Sequence, residues 1–284
     1  MTISGGRQQG IDSDSAALRQ RIGFDAGRQD LESAIAWSIL NHIKFIDFNC
    51  DIGPNHIDNW SDDRIENVKD LLSDNNIHVG IHTLSAVNIA EFSPCMSKAV
   101  DDYLAANIEL GAKLGAEWIT VHAGMHFSTE IEARREASID HLKRATYLAE
   151  ALEQKLLLEN LNFEPDDAEV HYLAHTVEEC LWYFDAIRKD AFGWAFTVNH
   201  ANLVPDGIDG FLKEFGIDRI GCVRLADNDG KIEVHMVPGE GNIDFRSMFQ
   251  RLEGGGYRGH YTMAYGSPEQ KLESRDWLVG QAEE

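Results

Sequence analysis

The feature of this sequence that most constrains its fold is a regular alternation of two hydrophobic patterns. Short apolar runs alternate with longer stretches in which apolar residues recur every three or four positions, the period of an amphipathic helix. The apolar runs predict eight strands, at residues 21–27, 45–51, 78–83, 118–124, 156–161, 194–201, 220–229 and 260–266. Strands separated by helices pair in parallel, because a parallel neighbour needs a crossover connection. Eight such units in 284 residues predict an α/β fold with a single (β/α)8 TIM barrel, and a doubly wound open sheet is the alternative.

The chain carries no sign of a division into several domains. It has no internal repeat, no low-complexity tract and no linker rich in Pro, Gly or Ser. Residues 1–20 are polar and predict a flexible N-terminal lead-in, which leaves residues 21–284 for the barrel domain. Ser61 precedes an amphipathic stretch and is predicted to be the N-cap of a helix.

Composition and charge exclude several classes of partner. Lys and Arg number 25 against 48 Asp and Glu, and the formal charge of −23 disfavours binding to nucleic acid. No stretch approaches the ~20 apolar residues of a membrane span, and the N-terminus lacks the layout of a signal peptide. The four cysteines lie far apart without a C-x-x-C pair, as expected for reduced thiols. These features predict a cytoplasmic protein without a nucleic-acid or membrane partner.

Polar side chains end several of the predicted strands. The active site of a parallel barrel is built at the C-terminal ends of its strands, so these positions are candidates for catalysis or binding. A single one would suit a helix cap or a hydrogen-bonded core histidine, but here the pattern repeats from strand to strand. The residues concerned are His82, His122, Glu159, Asn160, His200, Arg224 and Asp227, followed in the next loop by Glu233 and His235.

Four motifs carry a resemblance to a known family. They read "LLLEN", "HANL", "DNDGKIEVHMVPGEGNIDF" and "GGYRGHYTM", in that order, and the likeness runs from about Arg21 to the end of the chain. In these motifs the chain resembles the sugar phosphate isomerase/epimerase superfamily of xylose isomerase-like barrels, which also includes the endonuclease IV type of abasic-site nuclease. The resemblance implies a TIM barrel that acts on a small sugar-like molecule. It also suggests a possible homo-oligomer.

The resemblance also implies where a metal would bind, and the sequence departs from that pattern. Isomerases of the family hold a divalent metal with four ligands, of which only Glu159 is retained. Thr197, Arg224 and Ala264 occupy the other three positions. A guanidinium has no electron pair to give to a cation, so we expect no metal at this set and no other cofactor. Arg224 either neutralises Glu159 as a plain ion pair, or clamps an anionic group or polarises a carbonyl of the substrate.

Two further sets could hold a divalent metal such as zinc or manganese. His82, His122 and Glu159 match one metal set of the nuclease branch. His200, Glu233 and His235 match a second set. Both combine imidazole with carboxylate, which suits these metals. Because isomerases of the family also use histidines at such places to contact substrate, both interpretations stay open.

The sequence therefore predicts an isomerase or lyase acting on a small polyhydroxylated or carboxylated metabolite by single-base proton abstraction, without the usual metal. The predicted catalytic residues are Glu159 as base, Arg224 as anion stabiliser, and His200 and His235 as acids. The predicted substrate-binding residues are His82, His122, Asn160, Thr197, Asp227 and Glu240. Alternatives are a catalytically silent barrel that binds a ligand or a partner subunit, a metal-dependent epimerase, and an abasic-site endonuclease.

Overall fold

A closed barrel of eight parallel strands forms the centre of the protein, in a computed structural model that describes residues 17–283. Its strands are β1 (Ile22–Asp25), β2 (Phe45–Phe48), β3 (His78–His82), β4 (Trp118–Val121), β6 (Leu156–Glu159), β8 (Phe192–Thr197), β9 (Ile220–Leu225) and β10 (His260–Met263). Each strand pairs with the next barrel strand along the chain, and β10 closes the ring on β1. The predicted TIM barrel is confirmed.

Helices follow the barrel strands and cover their outer faces. They are α1 (Leu31–Asn41), α2 (Asp62–Asn75), α3 (Pro94–Leu114), α4 (Ile131–Ala151), α5 (Val177–Ala186), α6 (Val198–Ala201), α7 (Gly207–Phe215), α8 (Phe245–Gly254) and α9 (Pro268–Glu283). The predicted cap of α2 is confirmed, because the Ser61 hydroxyl accepts a hydrogen bond from the Arg64 amide at 3.2 Å. None of the described helices is long and apolar enough to span a membrane.

Three features depart from the predicted outline. The sixth predicted strand, at residues 194–201, stops at Thr197, where the short helix α6 begins and carries His200. A separate antiparallel pair, β5 (Met125–His126) with β7 (His171–Tyr172), joins the loops that follow β4 and β6. Residues 17–21 are helical and Leu18 is buried, so ordered structure begins before residue 21. The first sixteen positions of the predicted lead-in lie outside the described residues.

The barrel interior is filled by side chains. β4, β6 and β10 are buried along their whole length, as expected for strands covered on both faces. Near the N-terminal end, the Trp118 ring lies so close to β3 that a Cβ on Gly80 would lie 2.0 Å from it. At the other end, Arg224 pairs in register with Thr197 on one side and Thr262 on the other. The strand-end residues thus share one level, at the C-terminal mouth.

Candidate active site

A buried cluster centred on Glu159 lies at the end of β6. One carboxylate oxygen, Oε2, lies 3.2 Å from His82 Nε2 and 3.0 Å from His122 Nε2, and the two ring nitrogens are 3.1 Å apart. The other oxygen, Oε1, accepts a hydrogen bond from the Thr197 hydroxyl at 2.6 Å. Because β3, β4, β6 and β8 are neighbours in the barrel, residues far apart in sequence meet at one point. We call His82, His122 and Glu159 the deep cluster.

The outer nitrogens of the two deep histidines are held by other groups. His82 Nδ1 faces Asp25 Oδ2 at 3.3 Å. Thr83 gives its hydroxyl proton to the Thr120 carbonyl, so its oxygen accepts a hydrogen bond from His122 Nδ1 at 3.3 Å. Both rings therefore turn Nε2 towards Glu159. With the Nδ1 positions protonated, the cluster has to share a single further proton, or a cation, among three acceptor atoms.

Arg224 lies in the middle of the barrel mouth and faces three carboxylates. Its Nη2 donates to Asp25 Oδ2 at 2.6 Å, its Nη1 donates to Asp47 Oδ2, and its Nε lies 3.5 Å from Glu159 Oε1. Only 2% of Arg224 is exposed, and Asp47 is fully buried. The expected pairing with Glu159 is present but is the longest of the three contacts. Substrate clamping by Arg224 is disfavoured, because both terminal nitrogens already face protein carboxylates.

The protonation states of this region follow from those contacts. Burial raises the pKa of Glu159, but hydrogen bonds from His122 and His82 and the charge of Arg224 outweigh it and hold that pKa well below its usual range. Burial and Arg224 lower the pKa of His82, yet its bonds to Asp25 and Glu159 raise it to about 9. Burial lowers the pKa of His122. A carboxylate held so firmly ionised is a weak base, which speaks against Glu159 as the group that abstracts a proton.

A second cluster lies closer to solvent, where α6 meets the loop after β9. Glu233 Oε1 accepts from Asn199 Nδ2 at 2.8 Å and from His235 Nε2 at 2.9 Å, and His200 Nε2 lies 3.5 Å away. We call His200, Glu233 and His235 the outer cluster. His200 also links the two clusters, since its Nδ1 lies 3.7 Å from Glu159 Oε1.

Each outer histidine has one ring nitrogen held by a backbone carbonyl. His235 Nδ1 donates to the Ala264 carbonyl while Nε2 donates to Glu233, so both of its nitrogens carry hydrogen. The hydrogen bond to Glu233 accordingly raises the pKa of His235. His200 donates from Nδ1 to the Asn160 carbonyl at 2.8 Å, which leaves Nε2 as the nitrogen that faces the cluster. Although burial raises the pKa of Glu233, its interactions with His200 and His235 lower it to about 2.

The second carboxylate oxygen of Glu233, Oε2, is a candidate contact for a ligand. Oε2 is buried and has no hydrogen-bond partner among residues 17–283. An unpaired buried carboxylate oxygen costs free energy unless a ligand or water satisfies it. Glu233 therefore offers an acceptor for a hydroxyl group.

Three predicted substrate-binding residues have other roles. Asp227 is fully buried and its oxygens accept hydrogen bonds from the amides of Asn228, Gly239, Gly241 and Ile243, at 2.9 to 3.2 Å. A Cβ on Gly241 would lie 2.2 Å from Asp227 Oδ1, which explains the glycine there.

Asn160 is also fully buried, and its amide group binds the backbone of Thr197 and the Trp194 ring nitrogen. Glu240 is exposed and belongs to neither cluster. Thr197 does reach the site, but its hydroxyl holds Glu159. Because the polar atoms of Asp227 and Asn160 are bound within the protein, contacts of these two residues with substrate are disfavoured, and their assignment to substrate stays a prediction.

The sequence reasoning missed Asp25 and Asp47 and left Glu233 out of the catalytic set. Asp25 ends β1, so the same strand-end rule would have found it. Asp47 lies inside the apolar run of β2 and gave no such signal, although a fully buried carboxylate there requires a partner. Asp25 and Asp47 both form ion pairs with Arg224 and so offset its positive charge at the mouth.

The deep cluster fits a divalent cation. Tetrahedral zinc at about 2.0–2.1 Å from its ligands places the ligand atoms about 3.3 Å apart. The three Nε2 and Oε2 atoms lie 3.0, 3.1 and 3.2 Å from one another, and their outer nitrogens are oriented by hydrogen bonds, as in metal sites. The four positions of the usual isomerase set do not fit, because Arg224 fills the centre and Thr197 gives its hydroxyl proton to Glu159.

A family model described as "Xylose isomerase-like TIM barrel" matches residues 43–280. The chain belongs to this family. The chain is 26% identical over 190 residues to a curated protein, the uncharacterised protein MJ1311 of Methanocaldococcus jannaschii. That alignment covers 64% of the chain and 62% of the relative's length.

Solved structures of the same fold include proteins named as sugar epimerases and one named as endonuclease IV. A D-tagatose 3-epimerase-like protein superposes with a TM-score of 0.82 at 21% identity, over 92% of this chain and 96% of that one. Endonuclease IV from Thermus thermophilus gives a TM-score of 0.74 at 18% identity, over 92% and 98%. These identities establish a shared xylose isomerase-like barrel. The chemistry has to be argued from the residues at the mouth.

Proposed function

We propose that the protein is an isomerase or epimerase of a small polyhydroxylated, sugar-like metabolite, which removes a proton from a carbon next to a carbonyl group and then returns a proton to carbon. The observation that carries this proposal is the buried, unpaired oxygen of Glu233, whose carboxylate lies beside His200 and His235. A hydroxyl of the substrate satisfies that oxygen, and the histidines lie beside it as base and acid. Sugar epimerases among proteins of the same fold support the substrate class.

Each polar group at the mouth has a distinct part in this proposal. His200 takes the proton from carbon at Nε2, because its Nδ1 proton is fixed on the Asn160 carbonyl. His235, protonated on both nitrogens and about half exposed, gives a proton to the carbonyl oxygen, which forms an enediol. The reaction is completed when His200 returns its proton to carbon and His235 takes a proton back from the enediol oxygen. His82, with a pKa of about 9, is a cation that can stabilise the negative charge of an enediolate. Arg224 keeps Glu159 ionised and is a positioning residue.

A divalent cation has a place in this scheme at the deep cluster. His82, His122 and Glu159 would hold it, and when bound it would supply a Lewis acid for the oxygens of the substrate. The proton on His82 and such a cation compete for the same atoms, so a positive charge lies beside Glu159 in either case. The outer cluster transfers protons in the same way whether the deep cluster holds a proton or a divalent cation.

Exchange of carbon-bound hydrogen tests the proposal without knowledge of the product. The full chain is incubated in D2O with a panel of ketoses, aldoses and keto acids, and loss of C–H signals is followed by NMR. We expect exchange in at least one sugar, and His200→Ala and Glu233→Gln should slow it by about 100-fold or more. Glu214→Gln, an exposed change on α7 outside both clusters, is the matched control and should leave the rate unchanged.

Two outcomes would contradict the proposal. Sugars that bind without any exchange would indicate a catalytically silent barrel. Exchange that persists undiminished in both outer-cluster variants would place the chemistry elsewhere.

A duplex with an abasic site tests the nuclease alternative in the same panel, because one protein of the same fold is named endonuclease IV. Incision of that duplex would replace the isomerase proposal by a nuclease.

A further inference from the structure

A second cavity lies at the end of the barrel opposite the candidate active site. Its volume is about 880 Å³, whereas the cavity beside Asp25 and His82 at the mouth measures about 210 Å³. Small-molecule sites fall in a range of about 300–1,000 Å³. The wall contains residues at the start of several barrel strands, which include Phe45, His78, Trp118, Phe192, Ile220 and His260. This is the N-terminal face, where polar residues are not needed for the chemistry of the mouth.

Flat rings form one wall of this N-terminal cavity. Phe45 stacks on His78 with ring centres 4.8 Å apart and on His260 at the same distance, with interplanar angles of 17° and 3°. Trp118 lies against His260 with ring centres 4.0 Å apart. Rings stacked in this way present flat faces and edges, to which a further flat ring packs favourably.

The charge of the wall is unlike that of the whole chain. Acidic residues outnumber basic ones by 48 to 25 in the sequence, but the wall carries four basic residues against three acidic ones. The basic residues are Lys155, Lys189, Arg219 and Arg258. In a chain with a formal charge of −23, this end of the barrel is therefore the better place for an anion.

Two polar atoms of the wall lack partners. The Arg219 guanidinium stacks on Phe184 at 4.6 Å, while its Nε is buried without an acceptor within the described part of the chain. No carboxylate among those residues forms an ion pair with Arg219. His260 is only 5% exposed, and its Nε2 has no partner in the same region. Burial lowers the pKa of His260 to about 3, so that its ring is neutral. Arg219 Nε is a donor, and His260 Nε2 is one in the tautomer that carries its proton there. Unsatisfied donors beside an open cavity suit a ligand with acceptor oxygens.

We propose that the N-terminal cavity binds a small aromatic anion, a flat ring that carries a carboxylate or phosphate group. The ring packs against the wall formed by Phe45, Trp118 and His260, and the anionic group pairs with Arg219 and Lys155. The site is separate from both clusters at the mouth. It binds its ligand whether or not the mouth is catalytically competent.

The test divides the ligand into its two halves. Phenyl phosphate, inorganic phosphate and phenol are each titrated into the full chain and followed by calorimetry. We expect phenyl phosphate to bind at least tenfold more tightly than phosphate or phenol alone. Arg219→Met, which keeps a long side chain over Phe184, should weaken phenyl phosphate about tenfold and leave phenol unchanged, since a charged hydrogen bond is lost. Lys155→Met, at an exposed position, should also weaken it and serves if Arg219→Met does not fold.

Two controls separate this site from the mouth. Arg188→Met removes an exposed arginine outside the cavity, paired with Asp185, and should not change the affinity. Glu159→Gln alters the deep cluster and should also leave it unchanged. The proposal is overturned if phenyl phosphate shows no saturable binding, if Arg219→Met and Lys155→Met bind it as well as the parent does, or if Glu159→Gln abolishes its binding.

Discussion

Replacing Arg224 by methionine removes the cation that faces three carboxylates of the barrel mouth. Methionine fills much of the same volume, so the change is chiefly one of charge. Arg224 is 2% exposed, and Asp47 and Glu159 are 0% and 3% exposed, so water cannot take over the lost contacts. Breaking a buried ion pair by removing one partner costs about 3–5 kcal/mol. We expect the free energy of unfolding at pH 7 to fall by that amount, and the melting temperature to fall by about 10 °C.

Urea titration of both proteins between pH 7 and pH 4 measures this difference. Asp25 and Glu159 have pKa values lowered in the folded protein, so their contribution is present at neutral pH and is lost only as the pH falls through those low values. Without Arg224 these carboxylates take up protons more readily than in the unfolded chain. The variant therefore gains stability as the pH falls, and its deficit against the parent should shrink towards pH 4.

A matched surface change shows what an arginine is worth without burial. Arg188→Met breaks an ion pair with Asp185 in which the two side chains are 77% and 66% exposed, so stability should change little at any pH. The double variant Asp47→Asn with Arg224→Met should be more stable than Arg224→Met alone, because one uncompensated charge is gone. If Arg224→Met loses less than about 1 kcal/mol at pH 7, with no pH dependence, Arg224 is not the counter-ion of this cluster.

Three shorter predictions concern other parts of the chain. Protein purified without chelator and then given zinc should bind it at the deep cluster, and His122→Ala should lose that binding in elemental mass spectrometry; equal metal in both proteins would contradict the site. Gly80→Ala should lower the free energy of unfolding by about 1–3 kcal/mol or more in denaturant titrations, because its Cβ would lie 2.0 Å from the Trp118 ring. Gly254→Ala meets open space and should leave stability unchanged. Equal effects of the two changes would show that β3 can shift to make room for the Cβ. Asp227→Asn should cost about 2–3 kcal/mol, since an amide group cannot accept from all the donors around it, and unchanged stability would contradict this.

The fold could be read from the sequence because its signal is repeated. Each barrel strand is an apolar run, and several helices, such as α7 and α8, show a clear 3.6-residue period, so the eightfold alternation survives errors at individual boundaries. β5 and β7 have two residues each and α6 has four, too few for any period to be seen. These small elements shape the mouth, which is the part that the pattern leaves undetermined.

The candidate site was predicted in part, and the limits have a physical origin. The strand-end rule found Glu159, His82 and His122, which do meet. It could not tell whether a polar atom turns towards a ligand or towards the backbone, as the carboxylate of Asp227 does. The contact of Arg224 with Asp47 joins residues 177 positions apart, and its partner lies inside an apolar run. Residue type and order along the chain do not show that two such distant residues meet in the fold.

The way in which Asp227 holds its loop bears on how such a barrel acquires new substrates. One carboxylate and an antiparallel bridge between Asp227 and Met236 anchor the segment that carries Glu233 and His235. The residues at its tip, such as Lys231 and Ile232, are exposed and take no part in that anchorage. Mutations at the tip can thus alter the shape of the mouth at little cost to folding. A library randomised there, with the anchor kept, is the natural starting point for changing substrate preference by directed evolution.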